Sequence, residues 1–392
     1  MNSHKFYLNK DFYIKLIEFP ALYNIKTDEL YCLDDRALDI LKNIDNVDID
    51  ILDNSDKEFI DFCLKEGILI ENPQGRIRTK LKQSPIPSLR YLELQITKRC
   101  NLKCKHCFLG DTENVDLPLE KIRKILKEFE EMQGLRVLIT GGEALLHPKF
   151  SEINEFLKEV AIRKILFTNG NLLDDGILKN LNVEEIQISI DGMKSGHEKL
   201  RGVGTFEKAL SSLRKAIDYG FQVSVATVIH RGNIEEFYEL EALIKSLKVR
   251  EWTVDALTMA GNLLINQEFW VSPEESSKIM NRYGFSLEDH PRIEGYGCGA
   301  HLLSISARGF ASFCSFYENS PIGSIDQGLE KLWTKKKHVF LRELKCVELS
   351  CPFINDCRGG CRYRAKTLSD NENSPDLFKC YQMGFYPLKS SN

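Results

Sequence analysis

Residues 91–107 read YLELQITKRCNLKCKHC, a seven-residue β-rich run that ends in three cysteines separated by three and then two residues. Five further runs of the same kind follow it: RVLIT (136–140), KILFTNG (164–170), EIQISIDG (185–192), QVSVATVI (222–229) and REWTVDAL (250–257). Between them apolar residues recur at helical spacing, as at Leu119, Ile122, Leu126 and Phe129, at Phe150, Ile153, Leu157 and Val160, and at Ala209, Leu213 and Ile217. Six strand–helix units in succession predict an α/β fold. A parallel sheet covered by helices, curled into a partial TIM-like (β/α)6 barrel, gathers the loops that follow its strands at one mouth. The cysteine knot, GGE (141–143), TNG (168–170) and SIDG (189–192) all fall in those loops, so the chemistry is expected there.

Outward from this core the chain changes character. Residues 1–85 form a small α+β pattern, with short apolar runs (FYIKLIEF, ALYNI, ELYCL) leading into helical spacing at Arg36–Ile44 and Lys57–Lys65 and a last strand, GILI. The basic, turn-rich stretch 72–87 reads as a linker. Residues 86–290 hold the barrel. From 291 to 392 periodicity fades while cysteines crowd, so metal sites are expected to replace part of a hydrophobic core.

The composition narrows the chemistry. Lys+Arg 53 against Asp+Glu 57 leaves a net charge of -4, without the basic surplus of a nucleic-acid binder. The N-terminus carries no signal-peptide pattern, and no stretch reaches the roughly eighteen apolar residues of a membrane span. These features point to the cytoplasm, where thiols stay reduced and twelve cysteines do not read as disulfides. Metal binding explains them better. Three lie in the knot and seven between Cys298 and Cys380; Cys32 and Cys63 stand apart and read as buried free thiols.

Three thiols on so short a loop can surround one soft metal centre and leave a 4Fe–4S cube with one iron free of protein ligands. Tetrahedral zinc would want a fourth ligand. The C-x3-C-x2-C spacing after a first barrel strand, followed by GGEALLHP, FTNG and ISIDG, resembles the radical S-adenosylmethionine (SAM) superfamily. The resemblance covers about Leu89 to Ala256. It implies that Cys100, Cys104 and Cys107 hold a 4Fe–4S cluster whose open iron chelates SAM. It also implies that Gly141 and Gly142 let backbone approach the cofactor, that Glu143 meets the methionine ammonium, and that His106 lies beside adenine. Ser189 and Asp191, alternating on the fourth strand, would face the ribose with help from Asn169, and Arg201 would reach the cofactor carboxylate. Asn-Gly and Asp-Gly are also ordinary turn signals.

The C-terminal pattern runs Cys298, ten residues, Gly309, four residues, Cys314, and then Cys346, Cys351, Cys357, Cys361 and Cys380. It resembles the SPASM extension of radical SAM enzymes, which implies two auxiliary 4Fe–4S clusters and three in all. By that likeness Cys298, Cys314 and Cys361 hold the nearer cluster, and Cys346, Cys351, Cys357 and Cys380 the farther one. Four residues separate Cys346 from Cys351 where the family usually has two. With no eighth cysteine, the nearer cluster keeps an open iron or takes another ligand such as His301.

Residues 1–85 look like the winged-helix-like element with which peptide maturases hold a leader peptide. The resemblance therefore implies a precursor peptide as substrate and an external one-electron donor of the flavodoxin or ferredoxin type. An open iron on the nearer cluster would bind a peptide thiolate beside the carbon radical, so thioether crosslinking is the expected reaction, with carbon–carbon crosslinking and epimerisation as the alternatives. Nucleic acid and membrane are not expected partners. A sulfatase-type protein maturase and a haem or cofactor biosynthetic enzyme are the alternatives.

Overall fold

The computed structural model describes residues 5–46, 52–75, 77, 79–286 and 290–387. Arg76 and Arg78 of the basic stretch lie outside the described residues. The N-terminal unit contains β1 (Tyr7–Leu8), β2 (Phe12–Leu16), β3 (Pro20–Asn24), β4 (Leu30–Cys32), α1 (Asp35–Asn43), α2 (Asn54–Lys65) and β5 (Leu69–Ile70). Both helices begin on an aspartate whose carboxylate accepts an early backbone N–H: Asp34 from Ala37 at 2.7 Å and Asp53 from Asp56 at 2.9 Å. Strands β2, β3 and β4 form an antiparallel sheet in that order, while β1 pairs with β5. The two helices pack their apolar faces on this sheet through Ile40, Leu41, Ile60 and Cys63.

The barrel follows as β6 (Tyr91–Thr97), α3 (Leu119–Glu131), β7 (Arg136–Gly141), α4 (Phe150–Phe156), β8 (Arg163–Thr168), α5 (Asp175–Asn180), β9 (Glu185–Ser189), α6 (Lys194–Arg201), α7 (Thr205–Asp218), β10 (Gln222–Ile229), α8 (Phe237–Leu247) and β11 (Glu251–Ala256). Each of the six strands lies parallel to the one before it. Their apolar residues meet the helical stripes in one core, where Leu92, Leu94, Val137, Leu166, Ile186 and Val225 are all but closed to solvent. Burial on both faces is why these strands read as apolar runs. Strand β9 ends at Ser189, so Asp191 sits in the turn beyond it and not on the strand as expected.

The sheet does not stop at β6. After α9 (Pro273–Met280), strand β12 (Leu302–Ile305) adds to the outer edge of β6 in parallel, and β13 (Phe310–Ser312) and β14 (Gly323–Ser324) extend it antiparallel. Strands of two to four residues leave no periodic signal, and the sequence gives no warning of them. The remaining helices are α10 (Leu329–Lys335), α11 (Lys345–Glu348), α12 (Ile354–Cys357), α13 (Arg362–Ser369) and α14 (Leu377–Gln382). Arg364 of α13 ties this region to Asp255 at the end of β11, at 2.5 Å. The C-terminal region thus touches both borders of the open barrel, by pairing at β6 and by an ion pair at β11.

The N-terminal unit is fastened to the opposite end, where the barrel strands begin. Arg163, fully buried at the start of β8, donates to the carbonyls of Ile25 (2.9 Å) and Lys26 (2.5 Å) and to Glu185 (2.6 Å). Arg136 at the start of β7 pairs with Asp28 at 2.6 Å, and Lys15 reaches the Gly134 carbonyl at 2.8 Å. The expected linker is also docked in its second half: Ser84 donates to the Leu16 carbonyl, and the Trp333 indole donates to the Pro87 carbonyl at 2.7 Å.

Replacing Arg163 with Ala strands the Glu185 carboxylate in a buried site, a loss of about 3–5 kcal/mol. Urea unfolding should show that loss, and limited proteolysis should release the N-terminal unit sooner. A stability within 1 kcal/mol of the parent would show that this network does not fasten the base.

Candidate active site and cysteine groups

The mouth of the barrel holds a cavity of about 420 Å³ whose wall includes Cys100, Cys104, Cys107, His106, Arg201 and Asn169. Gly141 and Gly142 complete it beside the cysteine loop. Backbone packing by itself requires glycine here. A Cβ on Gly142 would stand 2.5 Å from the Arg99 carbonyl oxygen and 2.9 Å from Cys100 Cβ. The bare backbone of Gly142 donates to the Thr97 carbonyl (2.9 Å) and that of Glu143 to the Arg99 carbonyl (2.7 Å), pressing the turn after β7 onto the root of the cysteine loop. On the far side, Asn262 closes the clamp: its backbone N–H donates to the Cys107 carbonyl at 2.9 Å and its side chain to the Cys104 carbonyl at 3.1 Å. Asn169 donates to Asn101 at 2.8 Å. Neither Asn101 nor Asn262 carries a motif that would single it out in sequence.

Glu143 lies just behind this wall. Thr168 Oγ1 (2.9 Å) and the Asn169 N–H (2.9 Å) donate to its carboxylate, yet burial still pushes its pKa up to about 7. Asp191 is closed to solvent, and its two oxygens take the Arg201 Nε–H and the Val228 N–H. Burial alone would raise its carboxyl, but Arg201, His106, His197 and the Val228 N–H together outweigh it and hold the pKa well below the usual range. Ser189, half-buried at the end of β9, is not part of the cavity wall. His106 is pushed down to about 3 by burial and by Arg201, so its ring is neutral, and its Nδ1 has no partner.

The three thiols suit a soft metal cluster. The Leu102 N–H donates to Cys100 Sγ at 3.4 Å, backbone amides of Leu109 and Gly110 serve Cys107, and the Arg201 charge faces all three. Among the described residues no group of three or more His, Cys, Asp or Glu side chains is set as around a single metal ion. The knot's thiols stand around the cavity wall instead.

The C-terminal cysteines divide into two groups. Cys314 and Cys361 each feel the charge of Cys298, and Cys314 also that of Cys361. Cys380 instead feels Cys346, Cys351 and Cys357. Cys357 and Cys361 face different groups although only three residues separate them, because Arg358, Gly359 and Gly360 are all left-handed (φ 54, 84 and 64°) and turn the chain sharply. A Cβ on Gly360 would stand 2.7 Å from Asp376.

Beside the first group lie two residues that sequence did not single out. Glu93 of β6 accepts the Ser315 N–H at 2.8 Å, and the buried Lys336, brought down to about 7 by burial, spans Cys298 and Cys314. His301 places its Nδ1 2.9 Å from the Ser88 carbonyl, while its buried Nε2 has no hydrogen-bond partner among the described residues. Cys63 is buried as expected, but Cys32 is exposed, because it lies on the outer strand of the N-terminal sheet. A line of rings, Phe108 to Phe316 (5.0 Å) and Phe316 to Tyr363 (5.2 Å), joins the cysteine knot to the first C-terminal group.

Residues 94–244 match the radical SAM superfamily. That stretch takes in the barrel from β6 into α8, and the C-terminal cysteine-rich region has the make-up of a SPASM domain. The chain is 23% identical over 345 residues to the AdoMet-dependent heme synthase of Oleidesulfovibrio alaskensis, covering 76% of this chain and 88% of that protein. It is 24% identical over 311 residues to the antilisterial bacteriocin subtilosin biosynthesis protein AlbA of Bacillus subtilis, covering 70% and 67%. In fold it is similar to Streptococcus suis SuiB bound to the precursor peptide SuiA, with a TM-score of 0.67 at 16% identity, over 95% of this chain and 98% of that one. No helix among the described residues is long and apolar enough to cross a membrane.

Gly142→Ala should displace the cysteine loop by forcing the Arg99 carbonyl away. After anaerobic reconstitution the variant is expected to lack about four irons, the content of one 4Fe–4S cluster. Full iron with unchanged SAM binding would show that the loop tolerates the extra carbon.

Proposed function

We propose that the chain is a radical SAM enzyme that modifies a ribosomally made precursor peptide. The observation that carries this reading is the N-terminal sheet, fixed at the barrel base with one edge left open. Leu33 donates to the Pro20 carbonyl and Asn24 to the Glu29 carbonyl, so with Tyr31 opposite Leu22 the amides of Leu30 and Cys32 point outward from β4. No other strand covers that side among the described residues. An extended leader can add itself there, with backbone bonds giving affinity and side-chain pockets giving selection. The fold likeness to SuiB extends over 95% of the chain and so takes in this unit. The heme synthase likeness favours a small-molecule reaction instead, but that reading leaves the β4 edge without a task.

A 4Fe–4S cluster on Cys100, Cys104 and Cys107 together with SAM supplies a 5′-deoxyadenosyl radical, able to take hydrogen from an unactivated carbon. The protein's residues position and shield. Arg201 offers its guanidinium to the cofactor carboxylate, and Asp191 acts through Arg201 by fixing its orientation. Glu143 answers the ammonium: a cation arriving beside a carboxylic acid with a pKa near 7 favours the ionised form. The neutral His106 ring flanks adenine, and Ser189 and Asn169 serve the ribose. Auxiliary 4Fe–4S clusters belong on the two C-terminal groups, and a flavodoxin- or ferredoxin-type protein supplies electrons.

Because the open edge lies at the base and the chemistry at the mouth, the peptide must travel the height of the barrel. Strand β6 has seven residues, about 23 Å at 3.3 Å per residue, so about seven or more extended residues separate the bound leader from the modified one. The bond proposed is a thioether between a peptide cysteine and a carbon of another residue. Forming it breaks one C–H and one S–H bond of the peptide; bound SAM would supply the acceptor for one hydrogen atom, and clusters on the C-terminal cysteines would supply the acceptor for the electron left when the thiol proton departs.

Changing Cys100, Cys104 and Cys107 together to Ala should lower iron from about twelve to about eight per chain and abolish SAM cleavage. Retained cleavage would sink the assignment. Cys32→Pro removes an outward amide from β4 and should slow peptide modification about tenfold while sparing peptide-independent SAM cleavage. Equal turnover would favour the small-molecule reading. In mass spectra a thioether product is lighter by two hydrogens and its cysteine resists alkylation. The same mass loss with every thiol alkylatable would exclude that bond.

A further inference from the structure

Each cysteine group has a buried cation beside it, and one of these cations is unlike the others. Arg201, facing the knot, is paired with Asp191. Arg364, facing Cys361, is held by Asp255 at 2.5 Å and Asp376 at 3.0 Å. Lys336 shares Cys298 and Cys314 with the opposing charge of Glu93. Arg362 makes no ion pair with a carboxylate among the described residues; Asp376, whose charge reaches Cys380, is already paired with Arg364. Arg362 is 2% exposed, its Nη1 donates to the carbonyls of Glu372 (2.7 Å) and Ser374 (2.8 Å), and its Nε and Nη2 have no hydrogen-bond partner among the described residues.

Those idle donors lie beside the farther cysteine group. Nη2 is 3.4 Å from the position a Cβ would take on Gly359, whose own N–H donates to Cys357 Sγ at 3.4 Å. The thiols of Cys346 and Cys357 both feel the guanidinium charge. A buried, permanently charged group with unmet N–H donors is costly unless an anion meets it, and a neutral thiol is a poor acceptor. Four thiolates around an iron–sulfur centre supply both the negative charge and the sulfur acceptors. Lys379 also faces Cys357, but it is half-buried, bound to Gln382 at 2.8 Å and open to screening by solvent.

We propose that Arg362 is the counter-charge of the farther cluster and, being paired with no carboxylate among the described residues, makes that cluster the most readily reduced of the three. This rests on reading Cys346, Cys351, Cys357 and Cys380 as a cluster site. Reduction adds one negative charge to the cluster, and a nearby cation with N–H donors to its sulfurs favours the reduced state. The farther cluster then holds the electron at potentials where the knot and the nearer cluster are oxidised.

The test is an EPR-monitored redox titration of the reconstituted full chain, with iron content measured in parallel. Arg362→Gln should lower the reduced-to-oxidised ratio of the farther cluster at least tenfold at a fixed potential, 59 mV for a one-electron couple. The signals of the other two clusters should stay within threefold. Arg362→Lys keeps the charge and should shift that ratio less than threefold; it also keeps the proposal testable if the Gln variant does not assemble. An unchanged ratio in Arg362→Gln overturns the proposal. So does a tenfold loss in Arg362→Lys, or a parent chain in which the farther cluster is not the first to be reduced. Eight irons in the parent chain, with both other clusters present, would instead overturn the cluster reading itself.

Discussion

Burying sulfur that must carry negative charge is the constraint around which this protein is arranged. A thiolate in a low-dielectric interior is stable only beside a cation, a metal or amide donors. Burial makes these thiols resist ionisation: it pushes Cys104 and Cys361 up to about 11 although Arg201 and Arg364 face them, and Cys380 up to about 12. Ten of the twelve cysteines fall into three groups, and each group is met by a cation inside the protein. Those cations come from helix ends. Arg201 closes α6 and Arg362 opens α13, with Arg364 one residue beyond Tyr363, so helix placement and charge placement are one decision. The cations are themselves costly to bury, which explains why three of them bring a carboxylate of their own.

The barrel was legible because six β-rich runs alternate with helical stripes of apolar residues, each run placed within a residue or two. Short strands have no such signature, so β12, β13 and β14 were invisible although β12 completes the border of the barrel. Local motifs were legible as motifs and misleading as contacts. The glycines of GGE are required by the backbone of Thr97 and Arg99, about forty residues earlier in the chain, and only the folded register of β7 against β6 brings them together. Asp191 looked like a ribose ligand by alternation, but the strand ends two residues earlier and its carboxylate is committed to Arg201. The division of seven C-terminal cysteines could not be derived from spacing, because Cys357 and Cys361 are near neighbours that a left-handed turn sends apart.

The base of the barrel shows why the N-terminal unit cannot be treated as an appendage. Arg136, Arg163 and Arg250 stand at the starts of three strands and reach Asp28 and the carbonyls of Ile25, Lys26 and Thr27 in one turn. These partners are more than a hundred residues apart, beyond any pattern visible in sequence. The same contacts cover the bottom of the barrel, so removing the unit would uncover the buried Arg163 and take partners from Arg136 and Arg250. Effects of such a deletion on SAM chemistry would then report damage to the barrel as much as loss of peptide binding, which is why a change at the open β4 edge is the cleaner probe.

Closure of the barrel and placement of the auxiliary cysteines are the same structural event. Six strands leave a gap between β6 and β11, and the C-terminal region spans it by pairing β12 with β6 and anchoring Arg364 on Asp255. Cys298 and Cys314 flank the β12–β13 hairpin, and Cys361 immediately precedes the helix that carries Arg364. Whatever draws those three sulfurs together therefore also pulls the two borders of the barrel toward one another. The ring contacts from Phe108 through Phe316 to Tyr363 lie along this seam, so the knot loop at the mouth packs directly on the closing element. Order at the first cysteine group is thus linked to the cavity by packed side chains and strand pairing, through Phe108, which touches Phe316 and also lines the cavity.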